Sequence, residues 1–172
     1  SSKVHIVHIT PHLPPDQAAN ALLPWQLGLW AAEAGDTVEY VAHPPRAGQP
    51  ATLPGLASWI PRRTDSGAAR ALRLGAILAA NGIRKALQPA IERADVVHVH
   101  SNGLLAELGV LLARRRDTPV VLTLYGTEIW HYAPKRFAPD LFTRAYHEAS
   151  AVTFYSERLL GRARELGLTR RR

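Results

Sequence analysis

Residues Ala94 to His131 read ADVVHVHSNGLLAELGVLLARRRDTPVVLTLYGTEIWH, and this stretch decides the fold. Asp95 to His100 and Pro119 to Leu124 are short apolar, β-branched runs of the kind found in parallel strands covered on both faces. Between them Leu104, Leu105, Leu108, Leu111 and Leu112 fall at helical spacing, and Arg114, Arg115 and Arg116 place positive charge where the helix dipole favours it. The stretch is therefore a strand, a crossover helix and a second parallel strand. Polar groups follow each strand: His100, Ser101 and Asn102 after the first, Tyr125, Gly126, Thr127 and Glu128 after the second. Both sets are expected at the carboxyl edge of one sheet, where open parallel sheets bind ligands.

Working outward, Lys3 to Thr10 alternates and breaks at Pro11, which predicts a first strand followed by the loop HLPPDQAAN. A helix follows, with its N-cap between Asn20 and Leu23 because Pro24 suits a first turn, and with Leu23, Leu27, Trp30, Ala31 and Ala34 on its inner face. Gly35 ends it, and Thr37 to Ala42 is a second strand. In the proline-rich stretch His43 to Arg63, Ser58 to Pro61 predicts a short edge strand. Two helical pieces, Gly67 to Asn81 and Gly82 to Ala94, are expected to break or kink at Asn81-Gly82, with Leu74, Leu78, Leu87 and Ile91 covering the sheet. After the central unit come a helix from about Asp140 to Ala149, a strand Ala151 to Tyr155, and a last helix begun by Ser156-Glu157 and ended by Gly167. Strands alternate with helices throughout, so the expected class is α/β: doubly wound, Rossmann-like, a mostly parallel sheet with helices on both faces.

The 172 residues suit a single domain spanning 1–172. The absence of cysteine excludes disulfides and thiolate metal sites and fits a cytoplasmic setting. The absence of methionine suggests a processed or excised chain, with Ser1-Ser2 outside the fold, and Lys3 leads so directly into a strand that no secretory leader is expected. No apolar run is long enough to span a bilayer. The net charge of +7 favours anionic partners. Arg114 to Arg116 and Arg170 to Arg172 read as a solvated helix end and a terminus, and without an aromatic-rich RNA signature no nucleic acid partner is expected.

The chain lacks GxGxxG and GxxxxGK[ST], which removes dinucleotide and P-loop readings, and Asp95 begins its strand where a phosphoacceptor aspartate would end one. His98 and His100 point to the same side of a strand, as two ligands of a metal-dependent hydrolase would, but no third ligand is evident in sequence. His100, at the strand end, suits either a hydrogen bond to a substrate or a structural role. Tyr125-Gly126-Thr127-Glu128 pairs close backbone approach with a carboxylate suited to sugar hydroxyls, or else forms a turn with Thr127 capping a short helix. Trp130 and Tyr132 either stack on a sugar face or fill a seam.

The succession strand, loop, helix, Gly35, then DVVHVHS (95–101), PVVLTLYGTEIW (119–130) and SAVTFYSERLLGRARELGL (150–168) resembles the N-terminal domain of the family 4 retaining glycosyltransferases. The resemblance implies the GT-B architecture, in which this half chiefly holds the acceptor and a C-terminal donor-binding domain, not represented in this sequence, holds the nucleotide sugar. It further implies transfer without a metal or other cofactor. The catalytic residues it points to are His100, Tyr125 and Glu128; the substrate-binding ones are Ala18, Ala19, Asn20, Ser101, Asn102, Gly126, Thr127 and Trp130. On this reading His100 and Glu128 face the cleft. Tyr125 stands where the family has a histidine, and Gln17-Ala18-Ala19-Asn20 stands where it has paired glycines. A sugar or lipid-linked acceptor is implied. The Leu- and Arg-containing region Gly67 to Arg93 suggests peripheral contact with an anionic membrane, on the inner face. A non-catalytic binding or regulatory module of the same fold is the alternative.

Overall fold

The computed structural model describes residues 3–62, 74–133 and 140–168. In chain order the elements are β1 (His5–Thr10), α1 (Ala19–Glu33), β2 (Thr37–Ala42), β3 (Leu56–Trp59), α2 (Leu74–Arg93), β4 (Val96–His100), α3 (Leu104–Arg115), β5 (Val120–Leu124), α4 (Thr127–Trp130), α5 (Leu141–Glu148), β6 (Ala151–Phe154) and α6 (Glu157–Glu165). The six strands form one sheet in the order β3-β2-β1-β4-β5-β6. Every neighbouring pair is parallel. The α/β, doubly wound class expected from the sequence is the class observed. Strand order reverses between β1 and β4, so the chain's topological switch point opens between their carboxyl ends.

The period of two divides the strands into two unlike faces. Val7, Ile9, Val97, Val99, Leu122 and Leu124 point into the larger core with Ile83, Leu87 and Ile91 of α2, Leu105 and Leu108 of α3, Tyr146 of α5 and Leu159 of α6. Gly109 brings α3 close to this face: a Cβ there would lie 2.9 Å from Ile9 Cδ1. The opposite face carries His8, Thr10, Tyr40, His98 and His100, and α1 packs over its β1 and β2 part.

α1 differs from its expectation in both start and inner face. Its N-cap is Ala18, so Pro24 lies inside the helix, and the buried residues are Ala21, Pro24 and Gly28. Trp30, expected inside, is 56% exposed. Small residues win because the helix lies close to Tyr40: a Cβ on Gly28 would fall 1.8 Å from Tyr40 Oη. Pro24 has no N–H for the carbonyl of Asn20 four residues back. Thr10 Oγ1 supplies the missing donor at 2.6 Å. Tyr40 Oη donates to the Pro24 carbonyl at 3.0 Å, so a second strand side chain ties the same turn of the helix to the sheet.

α2 runs unbroken through Asn81-Gly82. A helical glycine costs about 1 kcal/mol, whereas burying Leu87 and Ile91 contributes about 1.5–3 kcal/mol each, so packing overrides the breaker. Leu78, expected against the sheet, is 70% exposed. The first part of the predicted helical region, up to residue 73, lies outside the described residues. β3 is an edge strand, as expected, shifted to Leu56–Trp59. Gly35 and Gly167 take positive φ where the sequence placed the ends of α1 and α6. Asp140 Oδ1 and Ser156 Oγ accept from Thr143 N–H (2.7 Å) and Leu159 N–H (3.2 Å) to cap α5 and α6.

Candidate functional site

The polar residues after β4 and β5 meet, and Glu128 is what joins them. Its Oε1 accepts from the backbone N–H groups of Tyr125 and of Gly126, the latter at 3.0 Å. Its Oε2 accepts from Ser101 Oγ and Thr127 Oγ1, each at 3.3 Å. Glu128 is buried, at 5% exposure. The expectation that its carboxylate opens onto a cleft is corrected: the oxygens are occupied in fixing the turn, which exposes Thr127 instead. Thr127 does not cap α4; Gly126 is the N-cap and no side chain caps it. Ser101 has φ of +72°, a left-handed conformation costly for a side-chain-bearing residue. It is held there by its N–H on Thr123 O (2.8 Å) and its hydroxyl on Glu128. Asn102 and Gly103 beyond it are exposed at the start of α3.

His100 also departs from expectation, being fully buried. Its Nδ1 lies 2.6 Å from Tyr125 Oη and its Nε2 lies 3.0 Å from Nδ1 of His8. Tyr125 is therefore the group that covers His100 on the side of the sheet's edge. His98 completes a cluster: its ring stacks on His100 with centroids 4.0 Å apart, and its Nε2 lies 2.6 Å from Thr123 Oγ1. Burial lowers the pKa of His8 to about 3, helped by the nearby His98, and that of His98 to about 4. Burial, with His98 and His8 as neighbours, holds His100 well below its ordinary value, so all three imidazoles are neutral near pH 7. Burial, Glu128 and Tyr155 raise the Tyr125 phenol above its ordinary value, so it stays protonated and able to donate.

His8 was not singled out by the sequence. Its signal is the alternation of KVHIVHIT, but only the pairing of His8 with His98 across β1 and β4 brings it to the other two. Asp16 was missed too. Its Oδ1 accepts from the N–H groups of Arg46 and Ala47, both at 2.9 Å, and its Oδ2 lies 3.1 Å from His12 Nδ1 and 3.9 Å from Arg62. Burial alone raises its pKa, but the hydrogen bonds from Ala47, His12 and Arg46 outweigh that and hold it low. The carboxylate thus ties the loop after β1 to the loop after β2.

That tied loop delivers Ala18, Ala19 and Asn20 to the start of α1. Ala18 is exposed in an ordinary extended conformation, Ala19 is partly buried, and the side-chain Oδ1 of Asn20 is buried with no partner among the described residues. Trp130 is 45% exposed, with the Arg158 guanidinium 5.5 Å from its ring centre, and lines a groove with Gly161, Arg162 and Glu165. Tyr132 is a seam residue: its ring meets Phe142 and its hydroxyl lies 2.8 Å from Thr143 Oγ1. The structure thus gathers Ser101, Asn102, Tyr125, Gly126, Thr127 and Glu128 at one edge, with His100 beneath them and Trp130 one helical turn further on. Ala18 to Asn20 stand at the carboxyl side of β1, across the switch point.

Residues 4–172 match the family description of the glycosyl transferase 4-like domain. No curated protein matches the sequence. Among solved structures the fold is similar to that of a putative UDP-N-acetylglucosamine 2-epimerase from Listeria monocytogenes, with a TM-score of 0.55 and 16% identity. The match covers 97% of this chain and 43% of that one. The chain therefore spans less than half the length of that structure, and at this identity the likeness is one of fold.

Proposed function

The chain belongs to the glycosyl transferase 4-like family, and on that premise we propose that it is the acceptor-binding half of a GT-B enzyme that moves a sugar from a nucleotide sugar to an acceptor hydroxyl with retention. The observation that carries the reading is the joined turn after β4 and β5, beside the switch point, where Glu128 fixes Tyr125, Gly126, Ser101 and Thr127 together. In this proposal Tyr125 faces the reacting sugar and uses its phenol as a hydrogen-bond partner, with His100 behind it setting the direction of that bond. Glu128 acts by holding the turn, a positioning role in place of direct contact. Asn102, Thr127 and Trp130 are exposed and offer acceptor contacts, and Ala18 and Ala19 allow close approach of backbone to the donor. The donor-binding partner is a second, C-terminal Rossmann-like domain, and the transfer step needs no metal ion.

Full-length protein incubated with UDP- and GDP-sugars and a panel of acceptors tests this. Transfer with retained anomeric configuration is expected, and Tyr125→Phe should reduce kcat at least tenfold, since a hydrogen bond to a charged group contributes about 1.5–3 kcal/mol. Neither transfer nor nucleotide-sugar hydrolysis with any donor would replace the proposal with the non-catalytic binding module.

Contact with an anionic membrane is a second part of the proposal. Among the described residues no helix is long and apolar enough to cross a membrane. α2 exposes Ile77 and Leu78, and Arg84 and Lys85 lie exposed on the same helix, a combination suited to lying on a surface. Co-sedimentation with anionic but not neutral vesicles at low salt is expected; equal, negligible binding to both would refute it.

A further inference from the structure

We propose that His8, His98 and His100 form a binding site for one first-row transition-metal ion of the zinc class, placed beneath Tyr125, where it holds His100 in position and takes no direct part in the transfer step. One ring nitrogen from each residue lies within 4.8 Å of the others. The arrangement has a structural logic: His98 and His100 alternate to the same face of β4, and His8 is the cross-strand partner of His98 on β1. Register alone therefore brings three imidazoles to one side of the sheet. Zinc held by nitrogen at 2.0–2.1 Å in a tetrahedral site separates its ligands by about 3.4 Å. His8 Nδ1 and His100 Nε2 stand at 3.0 Å, close to that separation, in a hydrogen bond that gives way when His8 carries its proton on Nε2 and turns its Nδ1 lone pair to the ion. His98 must swing inward from its stack on His100, and it is the residue of the three with room to do so, being only partly buried beside the exposed Thr153.

The outer nitrogens support the assignment. A histidine ligand ordinarily hydrogen-bonds its other ring nitrogen to a second protein group, which fixes the tautomer. His100 Nδ1 has Tyr125 Oη at 2.6 Å and His98 Nε2 has Thr123 Oγ1 at 2.6 Å. Thr123 Oγ1 is itself 2.7 Å from Thr153 Oγ1, so its direction is set in turn. With protons on those outer nitrogens, the lone pairs of His100 Nε2 and His98 Nδ1 are left for the ion. Neutral imidazole is the form that binds a metal, and burial keeps all three rings neutral. An all-imidazole set selects zinc, copper or nickel over magnesium or calcium.

The test is metal binding by the purified full-length protein, stripped with chelator and titrated at about pH 7.5, where imidazoles are neutral. Calorimetry with Zn²⁺, and the visible spectrum with Co²⁺, should report one equivalent bound, and Mg²⁺ should not bind. His98→Gln should lower the affinity more than tenfold, and Thr123→Val about 10- to 100-fold, as loss of a group orienting a ligand does. His131→Gln, an exposed histidine outside the cluster, should change nothing. His8→Gln repeats the test on a buried ligand, with circular dichroism to confirm folding. No stoichiometric binding, or binding unchanged by both His98→Gln and Thr123→Val, overturns the proposal. Because the readout is binding and not transfer, such a failure leaves the glycosyltransferase reading standing.

Discussion

Replacing Glu128 by glutamine tests whether this carboxylate holds the turn. In the parent, one oxygen takes two backbone N–H bonds and the other takes two hydroxyls, all at a residue 5% exposed. A hydrogen bond to a charged partner contributes about 1.5–3 kcal/mol and a neutral one about 0.5–1.5 kcal/mol, so each backbone bond weakens by about 1 kcal/mol in the glutamine variant. The amide nitrogen, meeting Ser101 and Thr127, obliges both hydroxyls to rotate from donating to accepting, which they can do. The expected loss is about 2 kcal/mol. Glu128→Ala abandons the N–H groups of Tyr125 and Gly126 and releases Ser101 from its left-handed conformation, for a loss of about 3–5 kcal/mol. Urea unfolding of the full-length protein, followed by tyrosine and tryptophan fluorescence, measures both. A glutamine variant within about 0.5 kcal/mol of the parent, the range of ordinary surface changes, would refute the reasoning and return Glu128 to a role in substrate contact.

Acid should destabilise the protein through its histidines. His8 and His98 have folded pKa values of about 3 and about 4, depressed from 6.5, so the unfolded chain binds more protons between those values and 6.5. Stability is complete above 6.5 and falls as pH drops, by on the order of 2 kcal/mol from His8 alone at about pH 5; a urea midpoint flat from about pH 7 to 5 would contradict this. Gly28→Ala should cost at least about 1–3 kcal/mol by overpacking against Tyr40 Oη, and Tyr40→Phe in the same chain should recover part of it in thermal denaturation. Thr10→Val should cost about 1–3 kcal/mol by orphaning the Asn20 carbonyl, and less when Pro24→Ala restores a helical donor; a double-mutant cycle with no coupling would show that the Thr10 bond does not answer for the proline.

The carboxyl-edge placement of Ser101, Asn102 and Tyr125 to Glu128 was legible in the sequence because strand, helix and strand periodicities fix where each strand ends. The depth of those residues was not. His100 and Glu128 look like cleft residues by position, yet Tyr125 covers the one and the N–H groups of Tyr125 and Gly126 occupy the other. α1 was misjudged because Leu23, Leu27 and Trp30 are the larger apolar residues, while the close approach of Tyr40 selects the small stripe Ala21, Pro24 and Gly28. Asn81-Gly82 reads as a break by propensity and is overridden by the burial of Leu87 and Ile91.

By itself, then, the sequence determined the alternation of strands and helices, the parallel sheet and the edge at which polar chemistry gathers, since all of these follow from local period and from the short connections it allows. Only the tertiary structure decided that β1 lies beside β4, and with it that His8 meets His98 and His100, that Thr10 serves a carbonyl freed by Pro24, and that Asp16 joins two loops. These are contacts between residues far apart in the chain, fixed by strand order and register, which no local pattern encodes.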